Sequence, residues 1–370
     1  MPLSPAQRSA LAGLALIEEG SVRMAPLLVV PALLREMGLD PVPVIAEAGL
    51  DPSLFADPDN TIPFTDGGRL LALCASRTGC PHLGLLMGER QGLSVLGPLG
   101  HLARHAPDLG TALRDIILFL HVHDRGAVPA LRISGDRALL GYTIYQSEVP
   151  GTLQIYDAAV AIIYRLLQEL SGPGWEASEV RLCHPLPADI KPYRRIYRTR
   201  LRFGAECYGV VFETACLDRP VAGADPVVYR RTLQQISALS ALDSGDIVGQ
   251  IRRVLRRLLV GGAGKVDTSL AEVARMFSLH PRTLNRRLRD QGTSFKALID
   301  ALRYEMARQL LRDTCLPAAE IAAALDYSEP SAFNRAFRRW SGMAPLAWRA
   351  AEPPRRGCAS TPGRPNRCEF

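Results

Sequence analysis

Two short segments in the last third of the chain carry the same arrangement of asparagine, arginine and apolar side chains. The first reads Pro-Arg-Thr-Leu-Asn-Arg-Arg-Leu from Pro281, and the second, 49 residues later, reads Pro-Ser-Ala-Phe-Asn-Arg-Ala-Phe. This offset pairs Asn285 with Asn334 and Arg286 with Arg335. Asparagine can form two hydrogen bonds with the edge of adenine, and arginine can do the same with guanine. The repeat therefore indicates a base-recognition chemistry that the chain uses twice.

The apolar residues of each segment predict which side of it is buried. Leu284 and Leu288 are four residues apart, as are Phe333 and Phe337, so each pair falls on one face of a helix. Asparagine and arginine take the other face, and the leading proline occupies a first helical position that tolerates it. An Ala-Glu-Val-Ala or Ala-Glu-Ile-Ala segment and a short turn precede each helix. Each copy thus predicts a helix-turn-helix unit that fits the major groove of DNA, the alternative being two solvated basic helices.

One long helix is predicted between the two units. Phe295, Leu298, Leu302 and Met306 recur at helical spacing, which predicts a helix from residue 293 or 294 to about residue 313. About twenty residues give a rod of roughly 30 Å. This length is close to the ~34 Å between successive major-groove faces on one side of B-DNA. A single chain could therefore place its two reading helices in neighbouring groove segments without dimerising.

The doubled unit resembles the DNA-binding domain of the AraC/XylS family of bacterial transcription regulators. The resemblance covers residues 268–349, and the family's sequence run is matched at Pro330, Phe333, Arg335, Phe337, Gly342, Pro345 and Arg349. It implies an all-α C-terminal domain, with two helix-turn-helix motifs joined by a linker helix. It also implies double-stranded promoter DNA and RNA polymerase as partners. By the family's pattern, the base-facing side chains would be Arg282, Asn285, Arg286, Ser331, Asn334 and Arg335.

Two residues depart from the family's pattern. His280 stands where a serine usually caps the first reading helix, and Asp326 stands where the second turn usually has glycine. Aspartate tolerates the left-handed backbone conformation better than most residues, so the turn is expected to survive. Histidine is expected to be a weaker cap, with contact to a DNA phosphate as its alternative role.

The charge of the chain is concentrated in its doubled unit. Residues 251–349 contain 18 Lys and Arg against 9 Asp and Glu, whereas residues 1–250 contain 22 against 26. A basic C-terminal part beside a slightly acidic N-terminal part is typical of a DNA-binding domain joined to a second domain. The length of 370 residues and a hydrophobic fraction of 47% suffice for two cores.

The residue types that would indicate an enzyme or a metalloprotein are not arranged for either role. The eight cysteines form no CxxC pair and have no histidine at zinc-finger spacing, so free thiols are expected. DNA-repair proteins that join an AraC-like unit to alkyl transfer need a Pro-Cys-His-Arg nucleophile, whereas here Cys183 precedes His184 and Pro185. We therefore predict no catalytic activity, no cofactor and no bound metal.

No stretch of the sequence predicts attachment to a membrane. No run approaches the ~18 uncharged apolar residues of a membrane span, and the N-terminus lacks a signal-peptide cleavage pattern. A cytoplasmic location without a membrane partner is expected.

The residues ahead of the doubled unit predict a mixed domain with more helix than strand. Residues 130–134 and 138–145 have the length of a β-hairpin around Gly135 and Asp136. A first helix is expected from Met24 to Gly38. Further helices and strands are expected at residues 64–79, 109–119, 153–170, 179–183 and 209–212.

The spaced glycines and prolines of this region resemble a known effector domain. Their order is Gly-Leu-Asp, Leu-Gly-Leu-x-x-Gly, Leu-Gly-Pro-Leu-Gly, the hairpin, the long helix and then Leu-Asp-Arg-Pro. It is similar to the arabinose-binding-type domain of AraC relatives such as ornithine-utilisation regulators, over residues 25–225. The resemblance implies an α+β N-terminal effector domain that senses a small molecule of unknown identity. The alternative is a ligand-independent regulator that is controlled by its abundance or by a protein partner.

Three groups of polar residues in this domain could carry chemistry of their own. His121, His123 and Asp124 could ligate a metal, but alternate residues point apart and no third ligand is visible. A structural role is favoured for His184. Lys191 and the arginines that follow it could bind an anionic effector or DNA, and a solvated basic helix face is favoured instead.

The remaining segments are predicted as follows. Residues 1–24 form a poorly ordered extension, residues 226–265 an interdomain helix and a glycine-rich linker, residues 266–350 the DNA-binding domain, and residues 351–370 a disordered tail. The junction helix carries an apolar stripe through Ile251, Leu255 and Leu258. This stripe could support a homodimer, domain docking or packing on the N-terminal domain. A homodimer could instead form through the N-terminal domain.

Overall fold

The computed structural model describes residues 17–351 of the chain, except residues 19, 145, 147, 243–246, 261–267, 277–278 and 315. Seven strands are described, and their bounds are β1 Ser21–Arg23, β2 Thr61–Pro63, β3 Ala127–Ser134, β4 Arg137–Ile144, β5 Glu179–Leu182, β6 Leu201–Phe203 and β7 Gly209–Glu213. The helices of the N-terminal part are α1 Val30–Glu36, α2 Pro41–Glu47, α3 Phe64–Thr78, α4 Leu83–Glu89, α5 Pro98–Arg104, α6 Leu109–Phe119, α7 Thr152–Ser171, α8 Lys191–Tyr197 and α9 Pro226–Leu242. The later helices are α10 Ile247–Val260, α11 Leu270–Met276, α12 Pro281–Asp290, α13 Phe295–Asp313, α14 Ala318–Ala324, α15 Pro330–Ser341 and α16 Pro345–Ala351.

A five-stranded sheet in the order β3-β4-β7-β5-β6 organises the N-terminal domain. Only β5 and β6 run parallel among its neighbouring strands. The β3-β4 hairpin confirms the predicted one, and Gly135 in its turn has the positive φ of 58° that favours glycine. The expected α+β class of this domain is confirmed, with helices packed around one sheet.

The N-terminal boundary differs from the sequence-based one. Ser21–Arg23 forms a strand that pairs antiparallel with Thr61–Pro63, so residues 21–24 belong to the folded domain and not to an extension. Arg23 is buried, and its Nε donates to the carbonyl of Val122 at 2.9 Å. The first helix begins at Val30, after a short 3-10 turn, and not at Met24. Strand pairing across forty residues leaves no local signal, which is why the sequence pattern missed it.

The long helix α7 crosses α4 at very short range. At Gly84 an added Cβ would lie 2.0 Å from the backbone oxygen of Gln154, and at Gly88 it would lie 2.5 Å from that of Ala158. The two backbones meet because these positions carry no side chain. The Gln154 side chain fixes the same crossing, since its Oε1 accepts from the Gly84 N–H at 2.7 Å.

The C-terminal domain is all-helical, as expected. Helices α10 to α16 share one apolar core, to which both helix-turn-helix units and α13 contribute. Helix α10 belongs to this core, because Ile251, Leu255 and Leu259 are buried within it, and Arg252 pairs with Glu305 of α13 at 3.0 Å. Of the roles left open for the junction helix, these contacts favour docking on the DNA-binding domain over packing mainly on the N-terminal domain. The predicted glycine-rich linker and tail lie outside the described residues.

The described part of the chain contains no single helix that is long and apolar enough to cross a membrane. Helices α3 and α4 together pass that test of length and composition, with a bend of 111° between them. Cys74, Cys80, Cys183, Cys207 and Cys216 are free thiols, as predicted for them.

We predict that Gly84→Ala lowers the free energy of unfolding of the N-terminal domain by about 1–3 kcal/mol, because the added methyl group overlaps a backbone atom that cannot move independently. The matched control is Gly67→Ala in α3, where the nearest atoms lie 3.5 Å away. That variant should match or exceed the wild type by up to about 1 kcal/mol, since alanine favours helix over glycine. Urea unfolding of both variants measures the difference, and equal midpoints would contradict the close-contact reading.

Candidate nucleic-acid interface

The first helix-turn-helix unit consists of α11 and α12. Leu284 and Leu288 are fully buried, as the four-residue spacing predicted. His280 does cap α12, because its Nδ1 accepts from the backbone N–H of Arg282 at 3.3 Å. This bond requires an Nδ1 without a proton, so the cap belongs to the neutral imidazole. The cap leaves His280 exposed at the N-terminal end of the reading helix.

The second unit consists of α14 and α15. Phe333 and Phe337 are fully buried, and Gly342 ends the helix in the left-handed conformation with a φ of 80°. The turn before α15 survives the replacement of glycine, because Asp326 adopts a φ of 61° there. The two units are therefore built in the same way. His280 still caps α12, and Asp326 still allows the turn before α15.

All six predicted base-facing side chains lie on the outer surface of their helices. Five of them are exposed and Asn285 is half-buried at the flank of α12. The hydroxyl of Ser331 donates to Oε2 of Glu329 at 3.1 Å. Among the residues that the structure describes, Arg282, Arg286 and Arg335 form no ion pair. Their guanidinium groups are therefore available to a ligand in front of the two helices.

Two further arginines occupy the same outer face and were missed in the sequence. Arg289 lies three residues after Arg286, and Arg338 lies three residues after Arg335, so each pair shares one side of its helix. Both Arg289 and Arg338 are exposed. The offset of 49 residues that identified the repeat also relates them, and that signal could have found them.

Helix α13 joins the units and confirms the predicted spacer. Ser294 caps it by accepting from the Ala297 N–H at 3.1 Å, and the helix runs for 19 residues. Asp300 holds the second reading helix through an ion pair with Arg339 at 3.1 Å. The spacer is therefore fixed to the unit that follows it.

Asp326 ties three parts of the C-terminal domain together. Its Oδ2 accepts from the hydroxyl of Thr268, at the entrance of the first unit, at 2.7 Å. The guanidinium of Arg303 on α13 donates to its carbonyl oxygen at 3.2 Å, and lies 4.7 Å from the ring centre of Tyr327. The second turn thus contacts both the first unit and the spacer.

Arg349, the last residue of the family's run, has a structural position. Its Nε donates to the carbonyl of Leu311 at 3.0 Å, and its NH2 group donates to the carbonyl of Leu316 at 2.7 Å. These carbonyls lie at and after the C-terminal end of α13, where helical partners are lacking. Burial lowers the pKa of Arg349 from its ordinary value.

A cavity of about 130 Å³ that is partly open to solvent lies in the N-terminal domain. Its wall is almost entirely apolar and includes Phe64, Ile116 and Leu166. The polar side chains on the wall are His123, Asp124 and Tyr142. Burial raises the pKa of Asp124 to about 6, although the hydroxyl of Tyr142 donates to its Oδ2 at 2.5 Å. His121, His123 and Asp124 were considered as metal ligands in the sequence and a metal was not favoured. Among the described residues, no group of three or more His, Cys, Asp or Glu side chains could hold a metal ion.

The β3-β4 hairpin forms a wall between this cavity and the C-terminal domain. Pro129 and Tyr142 are register partners that face the cavity. The next pair, Val128 and Thr143, faces the opposite way and lines a crevice. The other lining residues of that crevice include Leu259, Met306 and Leu310 of α10 and α13. One hairpin therefore contacts both the cavity and the spacer helix.

His184 belongs to a buried polar cluster behind the sheet. Its Nε2 lies 3.2 Å from Oδ1 of Asp157, and the hydroxyl of Tyr193 donates to Oδ2 of the same carboxylate at 2.6 Å. Burial by itself lowers the pKa of His184, but the hydrogen bond and charge of Asp157 leave it raised above its ordinary value. The other ring nitrogen, Nδ1, lies 2.9 Å from the carbonyl oxygen of Pro185, so both ring nitrogens have partners within the domain, in agreement with the structural role predicted for His184.

Arg195, Arg200 and Arg202 of the basic cluster that begins at Lys191 are paired with neighbouring carboxylates. Arg195 forms a two-bond ion pair with Glu89, and Arg202 pairs with Glu206 at 2.5 Å. Arg200 lies 3.4 Å from Glu179. These arginines form a solvated, internally compensated face, as favoured from the sequence.

Known regulators match both parts of the chain. Residues 38–221 match a family model described as the N-terminal arabinose-binding domain of AraC transcription regulators, and residues 273–351 match one described as a helix-turn-helix domain. The HTH-type transcriptional regulator VirS of Mycobacterium tuberculosis is 31% identical over 324 residues, which cover 86% of this chain and 93% of that protein. The ornithine utilization regulator of Pseudomonas aeruginosa is 29% identical over 322 residues, with the same two coverages. The crystal structure of the transcriptional regulator CdpR from Pseudomonas aeruginosa covers 85% of this chain and 97% of its own, at 24% identity and a TM-score of 0.40.

We predict that Arg349→Met destabilises the C-terminal domain by about 2–3 kcal/mol, because it leaves two carbonyl groups without their donors. Arg338→Met, on the exposed outer face, should leave stability unchanged while it weakens binding of DNA. Urea unfolding followed by tryptophan fluorescence reports on this domain when both variants carry Trp175→Phe, because Trp340 and Trp348 are then the remaining tryptophans. An equal loss of stability in both variants would show that Arg349 is not a structural residue.

Proposed function

Because the chain belongs to the AraC family of transcription regulators, we propose that it reads promoter DNA through α12 and α15 and that a small molecule in the N-terminal cavity controls this reading. The chain is a DNA-binding transcription regulator and not an enzyme. The observation that carries the proposal is the pair of exposed Asn-Arg faces on two reading helices that are fixed to one spacer helix.

The outer face of each reading helix offers side chains for both base edges and phosphates. Arg286 lies opposite the buried face of α12, and we assign it to a guanine edge. Asn285 and Asn334, at the flanks, would contact adenine. Arg289 and Arg338, one turn further along, would contact the phosphate backbone and so contribute affinity rather than sequence preference.

Arg335 is exposed, and at this position it could contact either a base or a phosphate. Glu329, the carboxylate nearest to it in sequence before the helix, is already engaged by Ser331. This engagement favours a role of Arg335 at the DNA. The shorter side chains of Ser331 and Ala332 make the second helix the weaker base reader, compared with Arg282 and Thr283 in the first.

The position of the hairpin supports control by a small molecule. A ligand in the cavity would touch Pro129 and Tyr142, whose neighbours Val128 and Thr143 lie beside Met306 of α13. A change in the hairpin would therefore reach the helix that sets the distance between the reading heads. RNA polymerase remains a proposed partner. A homodimer would use surfaces of the N-terminal domain, because Ile251, Leu255 and Leu259 of the junction helix are buried within the chain.

Selection of binding sites from a random DNA pool with the full-length chain tests the proposal directly. We expect an enriched sequence with two short elements about one helical turn apart. Affinity should fall about 10³–10⁵-fold between 50 and 200 mM salt if 6–10 phosphates are contacted. A pool without enrichment would contradict sequence-specific reading.

We predict that Arg286→Ala costs about 1–3 kcal/mol of binding free energy and relaxes preference at one position of the selected site. Arg289→Ala is the matched control on the same face, and it should weaken binding to all sequences alike and reduce the salt slope by about one. Binding to a set of single-base variants of the site distinguishes the two patterns. A uniform loss for Arg286→Ala would remove it from the base-reading positions.

We also predict that the two reading heads tolerate no change in the spacing of their elements, because α13 is packed rigidly against both units. Five base pairs inserted between the elements turn the second one to the opposite side of the duplex, and ten restore the side but add about 34 Å. Both insertions should lower affinity to that of a site with one element. Recovery with ten base pairs would show that the heads are flexibly joined.

A further inference from the structure

The cavity in the N-terminal domain offers very little polar chemistry to a ligand. Among the lining residues that the structure describes, only His123, Asp124 and Tyr142 carry polar side chains. The rest of the wall consists of aliphatic side chains, glycines, prolines and Phe64. An apolar surface of this kind favours a ligand that is itself mainly apolar.

Two of the three polar side chains already have their partners within the domain. The hydroxyl of Tyr142 donates to Oδ2 of Asp124 at 2.5 Å. Oδ1 of the same carboxylate accepts from the N–H groups of Gly126 at 2.7 Å and Ala127 at 3.2 Å. The pair therefore holds the start of β3 in place and has little capacity left for a ligand.

His123 is the exception on this wall. Its side chain is buried, with the residue 5% exposed, and no hydrogen bond to its ring is found in the described part of the chain. Burial and the nearby charge of Arg23 lower the pKa of His123 to about 3, so the ring is neutral at pH 7. A neutral imidazole carries one donor and one acceptor. Because His123 lines the cavity, a molecule bound there can form a hydrogen bond with its ring.

Charged ligands are disfavoured at this place. Arg23 is the cation whose charge acts on His123. Its guanidinium group is already bonded to the carboxylate of Asp59 at 2.7 Å and to the carbonyl of Val122 at 2.9 Å. No cation on the cavity wall is therefore left to neutralise an anion, and the carboxylate of Asp124 would repel one. An ionised ligand would lose its hydration without an equivalent replacement.

The volume indicates the size of the ligand part that the cavity can enclose. The cavity of about 130 Å³ is slightly smaller than an engineered cavity of about 150 Å³ that binds benzene. A molecule of roughly seven non-hydrogen atoms fits this space. A sugar of similar size carries a hydroxyl group on nearly every carbon, and most of these would have no partner on this wall.

We propose that the cavity binds a compact, uncharged and mainly apolar molecule whose single hydroxyl or carbonyl group forms a hydrogen bond with His123. The ligand class is that of a simple phenol or a short alcohol, not that of a sugar or an amino acid. This inference rests on the proposed function, since it names the chemistry of the effector in that same cavity. His123 then determines specificity, while the apolar wall contributes most of the affinity.

Phenol and toluene test the proposal, because each has seven non-hydrogen atoms and only phenol has a hydroxyl group. Calorimetry with the full-length chain should detect binding of both compounds and no binding of L-arabinose. In His123→Leu, the ratio of phenol affinity to toluene affinity should fall at least about fivefold. His121→Leu is the matched control, because that ring is half-buried and hydrogen-bonded to the carbonyl of Leu118, and it should leave the ratio unchanged.

Two further measurements keep the test independent of whether His123→Leu folds. In the wild-type chain labelled with ¹⁵N-histidine, phenol should shift the ring resonances of one of the seven histidines, and toluene should not. Ala159→Leu, which fills the cavity from α7, should abolish binding of both compounds. A ratio that His123→Leu does not change, or binding of arabinose in place of phenol, would overturn the inference.

Failure of this inference differs from failure of the proposed function. If neither phenol nor toluene binds, the ligand class is wrong, yet the chain should still select its DNA sites. If the chain binds phenol through His123 but selects no DNA sequence, the proposed reading of promoters is wrong and the ligand class stands. Both measurements use one preparation of the full-length chain.

Discussion

Burial of the spacer helix α13 is the constraint on which the C-terminal domain depends. Leu302 and Ala307 are fully buried in its middle, with Leu298 and Leu310 buried towards its ends. This apolar surface belongs to the same core as Leu284 of the first unit and Phe333 of the second, so neither unit has a separate core. The two reading helices therefore form one rigid surface, because moving one against the other would expose part of a shared interior.

The same constraint gives the N-terminal domain a way to influence DNA binding. Side chains alternate between the two faces of a strand, so each step along β3 switches from the cavity to the spacer helix. Pro129 faces inward, and Val128 and Ala130 face α13. A ligand that moves the hairpin would also move the face of the hairpin that contacts α13. The burial of α13 holds both units in place. Coupling of this kind needs differential contacts in two states of the hairpin, and the cavity wall is where a ligand makes them.

Elements that are specified by a pattern within a few residues of sequence were predicted correctly. The buried faces of α12 and α15, the bounds of α13 and the β3-β4 hairpin all follow from periodicity or turn residues, which act within a few positions. Elements whose packing partners are distant in the sequence were not predicted. Strand β1 exists because it pairs with Thr61–Pro63, and the apolar stripe of α10 selects α13 only in three dimensions. The cavity was invisible for the same reason, since its lining extends from Val22 to Leu166.

Among the site residues, the role of Arg349 also became visible only in the structure, and Asp326 departs from the family's pattern. Arg349 matched the family's run, but only the structure shows that it serves two carbonyl groups instead of DNA. Asp326 replaces the usual glycine at a φ of 61°, a conformation that costs a non-glycine residue roughly 1–2 kcal/mol. The hydrogen bond from Thr268 and the ion pair with Arg303 at 3.4 Å, both formed by the Asp326 carboxylate, offset that strain. Glycine would remove the strain, but it would also remove these side-chain contacts. Aspartate therefore makes the turn less favourable and connects it to the spacer and to the entrance of the first unit. The residue that departs from the pattern thereby strengthens the property on which two-headed reading depends, the fixed position of one unit against the other.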